Sequence, residues 1–240
     1  MTEPTKTDQT EDKQSSNITR RIKSFVLRQG RLSAAQQKAI DSQWPKFGLA
    51  VSDELLDLTE LFGRDAPTIV EIGFGMGKSL AEMAEANPQQ NYIGIEVHRP
   101  GIGALLKLVE EKGLTNVRVY NHDAIEVLEK CIPKDALAGV YLFFPDPWHK
   151  KRHNKRRIVQ PGFVNTIASY LKPGGQFHMA TDWQHYAEQM LLQMDAAEGF
   201  SNTSGARHFS ADKADRCETK FERRGLKLGH GVWDLIYKKQ

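Results

Sequence analysis

From Thr68 onward, short apolar runs alternate with stretches whose apolar residues recur at helical spacing, and few folds accommodate that order. Thr68 to Gly73, Tyr92 to Val97, Val117 to Asn121, Ala138 to Phe144 and Gln176 to Thr181 read as strands. Lys78 to Ala86, Ile102 to Lys112, Ala124 to Lys130 and Phe163 to Leu171 read as the helices between them. Strands joined through helix-length connections pair in parallel, and right-handed crossovers put helices on both faces of the sheet. Ligands then bind beyond the carboxyl ends of the strands.

Upstream the character differs. Residues 1–18 are rich in Thr, Gln, Ser, Asp and Lys with almost no apolar side chain, so ordering them costs entropy that burial does not offset; a disordered polar tail is expected. Residues 19–46 mix aliphatic and basic residues around Gly30 and are expected to form a basic arm docked on the body, which occupies 47–240.

At 240 residues and 40% apolar content the chain can bury one sizeable core. No apolar run reaches the ~18 residues of a membrane span, and the amino end lacks the apolar segment of a secretion signal, so a cytoplasmic protein without a membrane partner is expected. Cys131 and Cys217 form no CxxC or Cys/His cluster; neither a disulfide framework nor a metal site is expected. The net charge of +3 says little, but its distribution says more. Arg20 to Lys46 holds seven basic residues against Asp41 alone, and Trp148 to Arg157 holds six with no acid. Such clusters attract polyanions.

Between the first strand and the first helix lies Val70-Glu71-Ile72-Gly73-Phe74-Gly75-Met76-Gly77-Lys78. Alternate glycines allow a sharp turn and let a ligand approach the backbone closely. The run departs from GxGxxG, because Lys78 stands where the third glycine belongs, and from the GxxxxGK[ST] phosphate loop. Glu71 precedes the first glycine, and Glu96 ends the second strand 19 residues after Gly77, where a carboxylate can take both ribose hydroxyls. Asp123 follows the third strand after Asn121 and His122. This spacing resembles the S-adenosylmethionine pocket of Rossmann-like methyltransferases. The resemblance implies that Gly73, Gly75 and Gly77 form the cofactor loop, that Glu71 supports it and the methionine ammonium, that Glu96 takes the ribose, and that Asn121 and Asp123 face the adenine.

The fourth strand runs into Pro145-Asp146-Pro147-Trp148-His149-Lys150-Lys151-Arg152-His153-Asn154-Lys155-Arg156-Arg157. Two prolines restrict the backbone around Asp146 and fix its carboxylate at the strand tip. Phe143-Phe144-Pro145-Asp146-Pro147-Trp148, followed by Lys150-Lys151-Arg152-His153, is similar to the motif of bacterial tRNA (guanine-N7-)-methyltransferases. Ser24 to Arg31 resembles that family's arginine-bearing arm, and Ala180-Thr181-Asp182-Trp183 and Thr219-Lys220-Phe221-Glu222-Arg223 resemble its later motifs. Leu27 departs from the pattern, standing where the family often has a basic residue.

The resemblance implies a class I fold, a mostly parallel seven-stranded sheet with helices on both faces. It implies methylation of guanine N7 at position 46 of the tRNA variable loop, with Asp146 as the catalytic acid beside the methyl donor. Lys150, Asp182, Thr219, Lys220, Phe221 and Glu222 would contact the substrate, and either Asp182 or Glu222 would read the guanine edge. Arg21, Arg28 and Arg31 of the arm, with Arg152, His153, Asn154, Lys155, Arg156 and Arg157, would contact RNA.

Guanine N7 carries an available lone pair, so this chemistry calls for no strong base. Its rate should come from alignment at about 3 to 3.5 Å and from carboxylates that favour the positive charge arriving on the purine. No histidine needs a catalytic role, and no apolar seam asks for a dimer, so a monomer is expected. A methyltransferase for another substrate is opposed by the basic loop, and a non-catalytic RNA-binding module would bind tRNA without binding the cofactor.

Overall fold

The computed structural model describes residues 30–214, 216, 217, 222 and 231–240. The expected tail, Arg21 and Arg28 of the arm, and Thr219, Lys220 and Phe221 lie outside the described residues.

Helix α1 (Ala34–Phe47) opens with a capping box in which Ser33 Oγ accepts from the Gln36 amide and Gln36 Oε1 accepts from the Ser33 amide. It buries Ala39, Ile40 and Phe47, so the second half of the basic segment packs as part of the body. It ends where the Trp44 ring occupies the space of a Gly48 side chain, 2.2 Å from an ideal Cβ. Strand β1 (Gly48–Leu49) and helix α2 (Leu58–Phe62) follow.

The alternating units come next. They are β2 (Thr68–Ile72), α3 (Lys78–Ala86), β3 (Asn91–Ile95), α4 (Arg99–Lys112), β4 (Val117–Tyr120), α5 (Ala124–Cys131), β5 (Leu137–Phe143), a 3-10 helix (Lys151–Arg156), α6 (Pro161–Tyr170) and β6 (Leu171–Thr181). Helix α7 (Gln184–Asp195) and strands β7 (Phe200–Asn202) and β8 (Trp233–Lys239) complete the chain. The sheet order is β1-β4-β3-β2-β5-β6-β8-β7, with β8 antiparallel to both neighbours and the remaining pairs parallel. Eight strands replace the expected seven because the two-residue β1, too short to show any periodicity, adds an edge beside β4.

Strands β2, β3, β4 and β5 are buried over nearly their whole length, which is why they read as mainly apolar runs without alternation. One face is covered by α5, α6 and α7 through residues such as Leu128, Ile167 and Met190; the other is covered by α1, α3 and α4 through Ile40, Met83 and Leu105. From β2 the chain steps outward to β3 and β4, then returns to place β5 on the opposite side of β2. That reversal opens a crevice at the carboxyl ends of β2 and β5. The tips of β3, β2, β5 and β6 stand side by side on one edge, carrying Glu96, the glycine loop, Asp146 and Asp182 in that order.

Candidate active site

All three loop glycines adopt left-handed backbone, with φ of 73° at Gly73, 59° at Gly75 and 73° at Gly77. An L side chain at any of them is strained. A Cβ on Gly73 or Gly75 would meet nothing within 4 Å, so these two border open space. Gly77 packs instead on α4, where a Cβ would stand 2.6 Å from Leu105 Cβ. Gly101 returns the contact, since its missing Cβ would fall 2.0 Å from the Gly75 carbonyl oxygen. This explains why α4 begins at Arg99 rather than at the expected Ile102: Pro100 suits a first turn, and Gly101 lets that turn press against the loop.

Glu96 organises the loop from the neighbouring strand. Its Oε2 accepts from the Gly75 amide at 2.8 Å, and its Oε1 accepts from the amides of Val97 and His98 at 2.7 and 2.9 Å. A carboxylate accepts about four hydrogen bonds, so one direction remains for a ribose hydroxyl. Asn121 Nδ2 donates to the Glu96 carbonyl at 2.9 Å. Asp123 Oδ1 caps α5, accepting from the amides of Ile125 and Glu126 at 2.9 and 3.4 Å.

Glu71 differs from both. It is 2% exposed, and its Oε2 has no hydrogen-bond partner among the described residues. Burial, and then the charge of Glu96, push its carboxyl up to about 8. A buried carboxyl with one oxygen left without a donor, next to two glycines bordering open space, fits a ligand bearing an ammonium group. The residues present therefore suit S-adenosylmethionine, which Glu71, Gly73, Gly75 and Glu96 could hold.

Across the crevice, Asp146 is exposed on a loop with left-handed non-glycine residues at both ends, Phe144 at φ 51° and Trp148 at φ 45°. Each such residue costs about 1–2 kcal/mol, so surrounding contacts must impose the conformation. The Phe144 amide donates to the Ala180 carbonyl at 2.8 Å. The Arg156 guanidinium lies 3.9 Å from the Trp148 ring centroid, and His153 meets that ring edge-on at 6.0 Å. His149 meets Trp183 edge-on at 4.2 Å, joining this loop to the tip of β6. Asp182, Trp183, His185, Glu188 and Trp233 line a cavity of about 600 Å³.

The basic segment divides in two. Lys150, Arg152 and Lys155 are exposed and available to phosphates. His153 has its pKa lowered by desolvation and by Arg152, Arg156, Lys150 and Lys155. Asn154 Oδ1 is buried. Arg157 corrects the sequence reading: it is 2% exposed and bonded inward, so it is no phosphate contact. Arg31 is exposed, and the chain beside it passes close to the start of α4, since a Cβ on Gly30 would stand 2.9 Å from His98 Nε2.

Sequence reasoning assigned His178 no role and overlooked Arg216 and Asp234. Arg216 Nη1 donates to Glu222 Oε2 at 2.6 Å, Lys213 pairs with Glu222 Oε1, and His178 Nε2 lies 2.9 Å from Asp234 Oδ1. Arg216 also lies over the rings of Phe143 and Phe144, at 5.8 and 5.5 Å. Glu222 is thus 1% exposed and held by two cations, whereas Asp182 is half-buried at the cavity wall. The charged pattern of Arg216 and Asp234 was visible, but nothing in their spacing linked them. Among the described residues no cluster of His, Cys, Asp or Glu could hold a metal ion, and no helix is long and apolar enough to cross a membrane.

Residues 65–235 match the family model described as a putative methyltransferase. The chain is 64% identical over 239 residues to the tRNA (guanine-N(7)-)-methyltransferase of Hydrogenovibrio crunogenus, covering 100% of both chains. It is 57% identical over 229 residues to the protein of that name from Alcanivorax borkumensis, covering 95% of this chain and 96% of that one. Among solved structures it resembles the 16S rRNA methyltransferase KamB, with a TM-score of 0.58 at 16% identity over 81% of this chain and 98% of that one. The aminoglycoside resistance methyltransferase NpmB1 has a TM-score of 0.51 at 15% identity over 78% of this chain and 94% of that one. At such identities these two structures speak for the fold alone. The alternating strands, the glycine loop with its acids and the near full-length relatives agree: this chain belongs to the tRNA (guanine-N7-)-methyltransferase family.

Proposed function

We infer that the glycine loop and the Asp146 loop are the two walls of a methyl-transfer site, one for the donor and one for the base. The chain is an S-adenosylmethionine-dependent enzyme that methylates guanine N7 in tRNA. We assign the target as position 46 of the variable loop and the enzyme as a cytoplasmic monomer. Bound S-adenosylmethionine supplies a methyl group on a positively charged sulfur.

What the chain's own residues contribute is placement and charge. Glu71 and Glu96 hold opposite ends of the donor, with the loop backbone between them. Asp146 stands on the loop just beyond the strand next to β2, where its carboxylate favours the positive charge that N7 acquires. Asp182 accepts from guanine N1–H and the exocyclic amine; Glu222 does not, because it is 1% exposed and held inward by Arg216 and Lys213. Lys150, Arg152 and Lys155 grip phosphates without reading sequence.

The observation that carries this reading is that Glu71, buried with its Oε2 lacking a donor, and Asp146, exposed at a fixed tip, sit at the ends of adjacent parallel strands. The test is incubation with methyl-labelled donor and tRNA, followed by digestion to nucleosides. Label in 7-methylguanosine is expected, and its absence from Asp146→Ala protein that unfolds at the normal temperature. Near-normal turnover by that variant removes Asp146 from the site.

A further inference from the structure

Arg157 stands out as a buried cation without a carboxylate. Among the described residues its guanidinium bonds to no carboxylate: Nε donates to the Pro147 carbonyl at 2.8 Å, and Nη1 donates to Gln189 Oε1 at 2.5 Å and lies 3.0 Å from His185 Nδ1. Its carbon stands 4.8 Å from the Tyr186 ring centroid, and desolvation lowers its pKa. A guanidinium taken out of water without a counter-charge contributes little to stability. What its planar fork contributes is geometry.

The two ends of that fork reach different walls of the site. Pro147 immediately follows Asp146, and its ring fixes φ near −65° and restricts the Asp146 ψ, so the Pro147 carbonyl and the Asp146 backbone hold a set relation. His185 and Gln189 lie on α7, which begins two residues after Asp182. The Tyr186 hydroxyl accepts from the Val159 amide at 3.3 Å and anchors the returning chain to the same helix. No other described side chain bonds both to the Asp146 loop backbone and to α7.

We propose that Arg157 is a positioning residue: by tying the Pro147 carbonyl to α7, it sets the placement of Asp146 relative to Asp182. The proposal rests on the reading of Asp146 as the catalytic acid. Misplacing a reacting group by about 1 Å can cost roughly 100-fold in rate, so the effect belongs in kcat rather than in tRNA affinity.

The test uses the full chain, with Arg157→Gln, Arg157→Lys, Gln189→Leu and Asp146→Asn made in parallel. Measurements are kcat and KM with a tRNA transcript, tRNA Kd across a salt series, donor Kd by calorimetry, and thermal unfolding. For Arg157→Gln, kcat should fall roughly 10- to 100-fold with KM, salt slope and donor Kd unchanged. Gln189→Leu should show a smaller loss of the same kind, and Arg157→Lys should recover part of the rate through the Pro147 carbonyl. Normal kcat in folded Arg157→Gln overturns the proposal. So does a raised KM with a salt slope flattened by roughly 0.7 to 0.9, the mark of one phosphate no longer neutralised. If Arg157→Gln does not fold, Gln189→Leu decides, and a normal kcat there overturns the proposal. Asp146→Asn separates the two ideas: if it is inactive while Arg157→Gln is normal, only the positioning role fails, and if it turns over normally, the reading of Asp146 fails.

Discussion

Arg216 donates from Nε and Nη2 to the two carboxylate oxygens of Asp234, at 2.7 Å each, in a fork completely enclosed behind the tips of β5 and β6. Asp234 sits on β8, so this pair, with the bond from Arg216 to Glu222, ties both of those residues to the sheet.

Removing one member of such a pair leaves the other charge buried. Asp234→Ala is expected to lower unfolding free energy by about 3 to 5 kcal/mol, measured by urea titration. Burial alone would raise the carboxyls of Asp234 and Glu222, but hydrogen bonds from His178 and Arg216 on the first, and from Arg216 and Lys213 on the second, hold both below their ordinary values. The stability they bring is present above the ordinary carboxylate range of about 4 and is lost as pH falls below it. In Asp234→Ala the acid limb of the stability profile should flatten; an unchanged limb contradicts this account.

Glu71 behaves in the opposite sense. With its carboxyl pushed up to about 8, it is mostly protonated at pH 7, and its contribution to stability is fully present below the ordinary carboxylate range of about 4 and is lost as pH rises from there through about 8. Pairing with the donor's ammonium requires the ionised form, so binding at pH 7 should release roughly 0.9 proton. Calorimetry in two buffers of different ionisation enthalpy measures this release. Glu71→Gln should abolish the buffer dependence, and equal heats in both buffers for the unaltered protein would rule out Glu71 as the partner.

Neutralising the basic segment should separate its members. Arg152→Gln with Lys155→Gln is expected to weaken tRNA binding and flatten its salt dependence by roughly 0.7 to 0.9 for each phosphate the variant no longer neutralises. Donor affinity should not change. Arg156→Gln should act differently, because its guanidinium rests on Trp148: turnover should fall more than the salt slope. Loss of donor affinity in the Arg152/Lys155 variant would contradict the division between the two walls.

Much of this architecture was legible because β2 to β5 are buried on both faces, so periodicity and length marked them without ambiguity. The start of α4 was misplaced because Pro100 and Gly101 look like a turn, and the reason for that glycine is a carbonyl far away in sequence, at Gly75. The acids at the strand tips could be found because each follows its strand at a fixed distance. The direction of a side chain could not: Arg157 belongs to a cationic run by sequence, yet Tyr186 and Gln189 on α7 draw it inward. His178, Arg216 and Asp234 meet only because β8 turns back antiparallel to β6, a pairing of distant segments that no local pattern encodes.

The left-handed backbone of Phe144 and Trp148 has an evolutionary corollary. Glycine or asparagine would relax both bends, but each would also remove a ring on which Arg216 or Arg156 rests. A laboratory selection for heat resistance should therefore leave both aromatics in place and find its gains elsewhere, because the contacts that force the bends outweigh the strain they hold.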